Sequence, residues 1–353
     1  MPSRRAFLGS TVAGVAAAAA PRSVRAAVRA ATLERRAGPR RPVVRPPRLE
    51  RGDVIGLINP CSVPLAADDV TLVRQHLERL GLQLKVSSVV REGRGSVECR
   101  ADDLNAMFAD DGVKGLLPMR GGWGCARLLP HLDYKLIAAH PKILMGYSDV
   151  AALLLGINAR TGLVTFHGPM GNSAWGAFTV DHLRRILFEG EAATLCKDAA
   201  SADDGDARPE TRLRTITPGK ARGRLVGGNL TVMASMVGSK YLGGTDDVIL
   251  FLEEVREPTS EVDRMLTTLE MAGILGRVRG FIFGQCTRCP APELDGSLTL
   301  DRVLDDHVRV LGIPAWRGAP IGHVERQLTV PIGLPVEMDA TRGTIRLLEP
   351  AVT

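Results

Sequence analysis

Ser148 has the setting most suggestive of chemistry. It stands in Lys142-Ile-Leu-Met-Gly-Tyr-Ser-Asp-Val-Ala-Ala-Leu-Leu154, where an apolar strand runs into a Gly-x-Ser turn and an apolar helix leaves it. A serine at a sharp strand-to-helix turn holds its hydroxyl clear of the sheet edge, and the helix N-terminus sets backbone N–H groups beside it. Such donors can stabilise the oxyanion of an acyl-transfer intermediate. The segment lacks the second Gly of G-x-S-x-G, and on its own it is more simply a serine capping a helix.

A second segment, Met119-Arg-Gly-Gly-Trp-Gly-Cys-Ala-Arg127, is a Gly-rich loop directly after an apolar strand. It would bring backbone N–H groups to the carboxyl end of a parallel sheet, where they could complete an oxyanion hole. It fits neither G-x-G-x-x-G nor the Walker A pattern, which argues against a nucleotide site.

A serine nucleophile needs a base, and the base needs an orienting group. His167 in Thr-Phe-His-Gly-Pro and His323 in Pro320-Ile-Gly-His-Val324 occupy loop-like, small-residue contexts and compete for the role of base. His131, His140, His182 and His307 lie in helical or polar stretches and are expected to be solvated, and His76 falls on the exposed side of a helix. Glu253 and Glu254 close the apolar strand Asp247-Val-Ile-Leu-Phe-Leu252, where either could project from a sheet edge as the orienting acid. An edge salt bridge to Arg256 or Arg264 accounts for them equally well.

The elements that would position these residues alternate strand and helix. The pattern predicts strands over 53–60, 82–90 and 115–119, and helices over 68–80 and 101–108. This β-α-β-α order implies an α/β fold, with a mainly parallel sheet flanked by helices in the N-terminal half. Residues 197–210 are polar and aperiodic, which places an interdomain linker at 197–218 between an N-terminal domain at 48–196 and a smaller, mixed, β-rich α/β domain at 219–353. In the second half, a helix is expected from about Ser260 to Ala272.

Composition narrows the function classes. The net charge is +6, but residues 1–47 carry ten Arg and one Glu, so the rest of the chain is mildly acidic. That balance, with only 4% aromatic residues, excludes a nucleic-acid surface as the main business of the fold. Ser3-Arg4-Arg5-Ala6-Phe7-Leu8 followed by the Ala-rich run to Ala20 reads as a twin-arginine signal peptide over 1–30, too short to span a membrane. Residues 31–47, rich in Arg and Pro, read as a flexible linker. Export to the periplasm is expected. The six cysteines are irregularly spaced and imply no disulfide framework, and Cys286-Thr-Arg-Cys289 is a lone C-x-x-C with no helix behind it and no second pair to make a zinc site.

Taken together, these segments resemble the LD-carboxypeptidases of peptidase family S66. The matching stretches fall in family order from about Arg51 to Met338. They are Gly52-Asp-Val-Ile-Gly-Leu-Ile-Asn-Pro60, Arg120-Gly-Gly-Trp-Gly124 with Arg127-Leu-Leu-Pro-His-Leu-Asp133, Gly146-Tyr-Ser-Asp149, Phe166-His-Gly-Pro169, Gly227-Gly-Asn-Leu230, Phe251-Leu-Glu-Glu254 with Asp263-Arg264, and Gly322-His323 with Pro331-Ile-Gly333. The resemblance implies a Ser-His-Glu triad of Ser148, His323 and Glu253, with Glu254 as the alternative acid. It also implies oxyanion donors from the backbone of Gly122, or Gly121, and of Asp149. His167 then becomes structural or a minor substrate contact. The resemblance further implies a homodimer and no metal or organic cofactor. The substrate would be a small peptide, foremost a peptidoglycan-derived tetrapeptide losing its terminal D-Ala. A peptidyl-nucleotide antibiotic is the alternative substrate, and a non-catalytic peptide-binding protein the alternative class. Val324, where the family often has Gly, and Trp123, where it often has Tyr, leave the specificity open.

Overall fold

Two sheets organise the chain in the computed structural model, which describes residues 41–61, 67–93, 95–196, 212–290 and 298–353. In chain order the strands are β1 (Val54–Ile58), β2 (Gln83–Val86), β3 (Val113–Pro118), β4 (Ile143–Gly146), β5 (Thr165–His167), β6 (Thr194–Leu195) and β7 (Arg214–Thr217). They continue as β8 (Lys220–Asn229), β9 (Val248–Val255), β10 (Gly280–Thr287), β11 (Ala315–Arg317), β12 (Val330–Ile332), β13 (Pro335–Asp339) and β14 (Thr344–Leu347).

The first sheet has the order β12-β5-β4-β3-β1-β2. Its β1 to β5 pair in parallel and β12 is added antiparallel to β5. The second has the order β6-β14-β13-β8-β9-β10-β11-β7, with β8, β9, β10 and β11 parallel and antiparallel strands on both flanks. This is the expected α/β class, although the second sheet has more strands than the first. Parallel strands need both faces covered, and their sequences show it as near-continuous apolar runs. Val248–Glu254 of β9 is buried at every position.

One helix joins the two sheets. Ala151–Thr161 is buried from Ala151 through Ile157, and it packs against β4, β5 and β12 of the first sheet and against β8 of the second. A helix that is apolar all round is one with no solvent face. Each of its buried leucines contributes about 1.5–3 kcal/mol of transfer free energy. The Ser148 turn sits at the N-terminus of this helix, so the nucleophile candidate is anchored where the sheets meet. The described residues belong to one compact unit, Ala37–Thr353.

Several expectations change. Within the 31–47 stretch expected as a flexible linker, Val44 bridges to Leu163 and exchanges hydrogen bonds with Gly162 and Val164, so this part is built into the fold. The strand expected over 82–90 stops at Val86. Ser87 then caps a short helix, Ser88–Glu92, by accepting from the Val90 N–H at 3.3 Å. Strand β7 lies inside the 197–218 span assigned to the linker. The two halves also exchange strands: β6, from before that span, pairs in the second sheet, and β12, from after it, in the first. The twin-arginine segment and residues 197–211 lie outside the described residues. Among those described, no helix is long and apolar enough to cross a membrane.

Candidate active site

Ser148 follows β4 and opens a 3-10 turn, Ser148–Val150, that runs straight into the central helix. Its φ is 60°, the left-handed region, which costs a non-glycine residue about 1–2 kcal/mol. Strain at a polar residue on a tight strand-to-helix turn belongs with a functional site rather than with an ordinary N-cap, whose backbone is extended. Gly121 lies against it. A Cβ on Gly121 would stand 2.9 Å from Ser148 Cβ and 3.0 Å from Oγ, so only glycine lets the Gly-rich loop approach so closely.

The side chain of Asp149 ties the same two segments together. Its Oδ2 accepts from the Cys125 backbone N–H at 2.8 Å and from the Cys61 thiol at 3.6 Å. Sequence reasoning considered only the backbone of Asp149. The carboxylate turns out to anchor the loop that faces the serine.

Glu253 and His323 meet 70 residues apart in sequence. His323 Nδ1 lies 2.8 Å from Glu253 Oε2. Glu253 is fully buried near the carboxyl end of β9, and the His323 side chain retains 19% exposure. Burial alone would raise the Glu253 carboxyl. The hydrogen bond and charge of His323, helped by His167, outweigh it and hold the group below its ordinary value. An ionised Glu253 accepts from Nδ1–H, which leaves Nε2 of His323 with a lone pair directed elsewhere. Gly322 makes this approach feasible: its φ is +90°, and a Cβ there would fall 2.2 Å from Glu253 Oε2.

Tyr147 connects the histidine to the turn. Its ring packs edge-on against His323 with centroids 4.9 Å apart, and its hydroxyl accepts from Ser173 at 3.4 Å. The Ser148 hydroxyl itself is not hydrogen-bonded to His323 among the described residues. Such links often close only around substrate.

The other candidates separate cleanly. Glu254 points into a cradle of donors: Asn229 Nδ2 at 3.1 Å, the Thr231 N–H and hydroxyl at 2.8 Å each, and its own following N–H on Val255 at 2.8 Å. Burial is the main reason its carboxyl is raised. His167 is fully buried. Its Nε2 lies 3.9 Å from Glu253 Oε1, and neither atom has a hydrogen-bond partner among the described residues. Burial lowers its pKa to about 4, so it is neutral at physiological pH.

Two histidines expected to be solvent-exposed are not. His76 stacks on Trp175 with centroids 5.2 Å apart, and His307 bridges Asp263 and Glu270 at 2.9 and 3.0 Å. Cys286 and Cys289 are joined in a disulfide at the end of β10. Trp123, at the tip of the Gly-rich loop, is 59% exposed.

Comparison with known proteins bears on this geometry. The family description "LD-carboxypeptidase N-terminal domain" matches residues 55–168, and "LD-carboxypeptidase C-terminal domain" matches residues 222–338. The chain belongs to the LD-carboxypeptidase family. The probable murein peptide carboxypeptidase of Bacillus subtilis (strain 168) is 36% identical over 305 residues, covering 85% of this chain and 93% of that protein. The murein tetrapeptide carboxypeptidase of Pseudomonas aeruginosa is 32% identical over 303 residues, covering 82% and 94%. A structure of MccF in complex with glutamyl sulfamoyl guanosine superposes with a TM-score of 0.75 at 26% identity, covering 88% of this chain and 99% of that one. This LD-carboxypeptidase family member is therefore a serine carboxypeptidase, a hydrolase of peptide bonds. The alternative of a non-catalytic binding protein falls away.

Proposed function

We propose that Ser148, His323 and Glu253 form the catalytic triad of an LD-carboxypeptidase that removes the terminal D-Ala from a peptidoglycan-derived tetrapeptide. The observation that carries this reading is the 2.8 Å contact between His323 and buried Glu253, made beside a Tyr147 ring that directly precedes the strained Ser148. Ser148 Oγ attacks the carbonyl of the amide before the D-residue. His323 Nε2 takes the hydroxyl proton, and Glu253 stabilises the imidazolium that results. The oxyanion is held by backbone N–H groups of the Gly121–Gly122 segment and of Asp149 at the start of the helical turn. His323 then returns the proton to the leaving amine, and water, activated by the same histidine, hydrolyses the acyl-enzyme. No metal or cofactor has a part in these steps.

The murein substrate is supported by the relatives at 36% and 32% identity, both of which are named for murein peptides. The likeness to MccF bound to glutamyl sulfamoyl guanosine keeps a second substrate in view, an aminoacyl-sulfamoyl nucleoside. Export by the twin-arginine route to the periplasm, and a homodimeric state, complete the proposal. The first rests on Arg4-Arg5 and the apolar run that follows, the second on family resemblance. The test offers the purified protein an L,D-linked tetrapeptide ending in D-Ala and, separately, glutamyl sulfamoyl adenosine, and follows product release by mass. Release of D-Ala is the expected result. Turnover of the nucleoside alone would overturn the murein assignment.

A further inference from the structure

Cys61 and Cys125 take no part in the chemistry above, yet the fold brings them together beside it. Cys61 follows the turn at the end of β1, and Cys125 begins the 3-10 helix Cys125–His131 directly after the Gly-rich loop. Both are fully buried, and their sulfurs are 3.1 Å apart across 64 residues of chain. Even carbon atoms, which are smaller, settle at about 3.5–4.0 Å in ordinary contact. Asp149 Oδ2 holds both segments, through the Cys125 backbone N–H and the Cys61 thiol.

We propose that Cys61 and Cys125 form a disulfide that staples the loop after β1 to the Gly-rich loop facing Ser148. A zinc ion is the competing occupant, because the two sulfurs and an Asp149 oxygen lie within 4.8 Å of one another. Two thiolates on one tetrahedral zinc, with bonds of about 2.3 Å, stand about 3.8 Å apart. The observed pair is closer than that, and the third ligand is already engaged by a backbone N–H, so the geometry favours a covalent bond between the sulfurs.

The oxidant is a small-molecule disulfide. One cysteine thiolate attacks it, forming a mixed disulfide and releasing one thiol. The second cysteine thiolate then attacks the protein sulfur of that mixed disulfide and releases the other thiol. Two protein thiols are oxidised, one disulfide is reduced to two thiols, and both protein thiol protons pass to the departing sulfurs. Burial, with Cys61 and Asp149 adding to it, holds the Cys125 thiol well above its ordinary range. Exchange therefore proceeds while the two loops are open, during folding or local unfolding.

The test holds the full chain in a glutathione redox buffer at a denaturant concentration just below unfolding. The sample is acid-quenched, free thiols are alkylated in denaturant, and the digest is mapped without reduction. The expected map has Cys61 linked to Cys125 and Cys286 linked to Cys289, with Cys99 and Cys196 alkylated. Oxidation should also raise the unfolding midpoint of the wild type more than that of Cys61→Ala, which retains only the Cys286–Cys289 bond. Alkylation of both Cys61 and Cys125, or pairing of either with Cys99 or Cys196, overturns the proposal. So does stoichiometric zinc in the reduced protein that is lost in Cys61→Ala.

Discussion

Glu253 and Glu254 are adjacent, both carboxylates and both buried, but they face opposite sides of β9, so replacing each by Gln should produce opposite phenotypes. In Glu253→Gln the 2.8 Å contact with His323 remains sterically possible. An amide oxygen at that point still accepts from Nδ1–H but carries no charge to stabilise an imidazolium. An amide NH2 there reverses the tautomer and puts the proton on Nε2, where it blocks the base. Either outcome raises the barrier by about 4–5.5 kcal/mol, a 10³- to 10⁴-fold loss in kcat, with little change in KM. The unfolding free energy should move by less than about 1 kcal/mol, because a neutral amide avoids the desolvation of a buried carboxylate. In Glu254→Gln the account runs the other way. Four donors converge on this carboxylate from Asn229, Thr231 and Val255, and an amide can satisfy only one of its two sides. At least one part-buried backbone N–H, of Thr231 or Val255, loses its acceptor, which costs about 1 kcal/mol of stability. Its kcat should fall by less than about tenfold. The assay is steady-state release of the D-amino acid alongside denaturant unfolding for both variants. If Glu254→Gln loses more kcat than Glu253→Gln, the assignment of the triad acid is wrong.

Two further outcomes follow from the same geometry. Gly322→Ala would force a Cβ to 2.2 Å from Glu253 Oε2 at a φ of +90°, so kcat/KM should drop by at least about 100-fold; an active variant with unchanged KM would contradict the close packing of Gly322 on Glu253. His167 has its pKa depressed from 6.5 to about 4 by burial, so between those values the unfolded chain binds more protons than the folded one. Stability is then complete above about pH 6.5 and is lost as the pH falls toward 4, by about 3 kcal/mol over that window. His167→Phe should flatten this dependence in unfolding measured at pH 4 and pH 7, and an unchanged slope would refute the claim that buried, neutral His167 drives it.

Much of this site was legible in the sequence because its first half is local. Strand, Gly-x-Ser and apolar helix are contiguous in Lys142–Leu154, and the steric reason for the turn lies within the segment. The pairing of Glu253 with His323 is not local. It arises because the carboxyl end of β9 comes to lie beside the loop after β11, and no periodicity encodes that. The choice between Glu253 and Glu254 was hidden for a related reason. Strand residues alternate faces, but β9 is buried on both, so no apolar-polar alternation marks which face carries the site. His76 and His307 were misjudged because a polar residue in an amphipathic helix reads as solvated until its partners are known; Trp175, Asp263 and Glu270 come from distant segments. The short helix after Ser87 did carry a signal, a serine cap ahead of Val89 and Val90, which the alternating pattern of 82–90 obscured.

The central claim is that Ser148 is a nucleophile and not a helix cap. Treating the wild-type protein with a fluorophosphonate, digesting it and locating the adduct by mass spectrometry tests it directly. The account predicts one stoichiometric adduct on Ser148, absent from Ser148→Ala while that variant still unfolds cooperatively. An adduct on another residue, or undiminished labelling of Ser148→Ala, would contradict it.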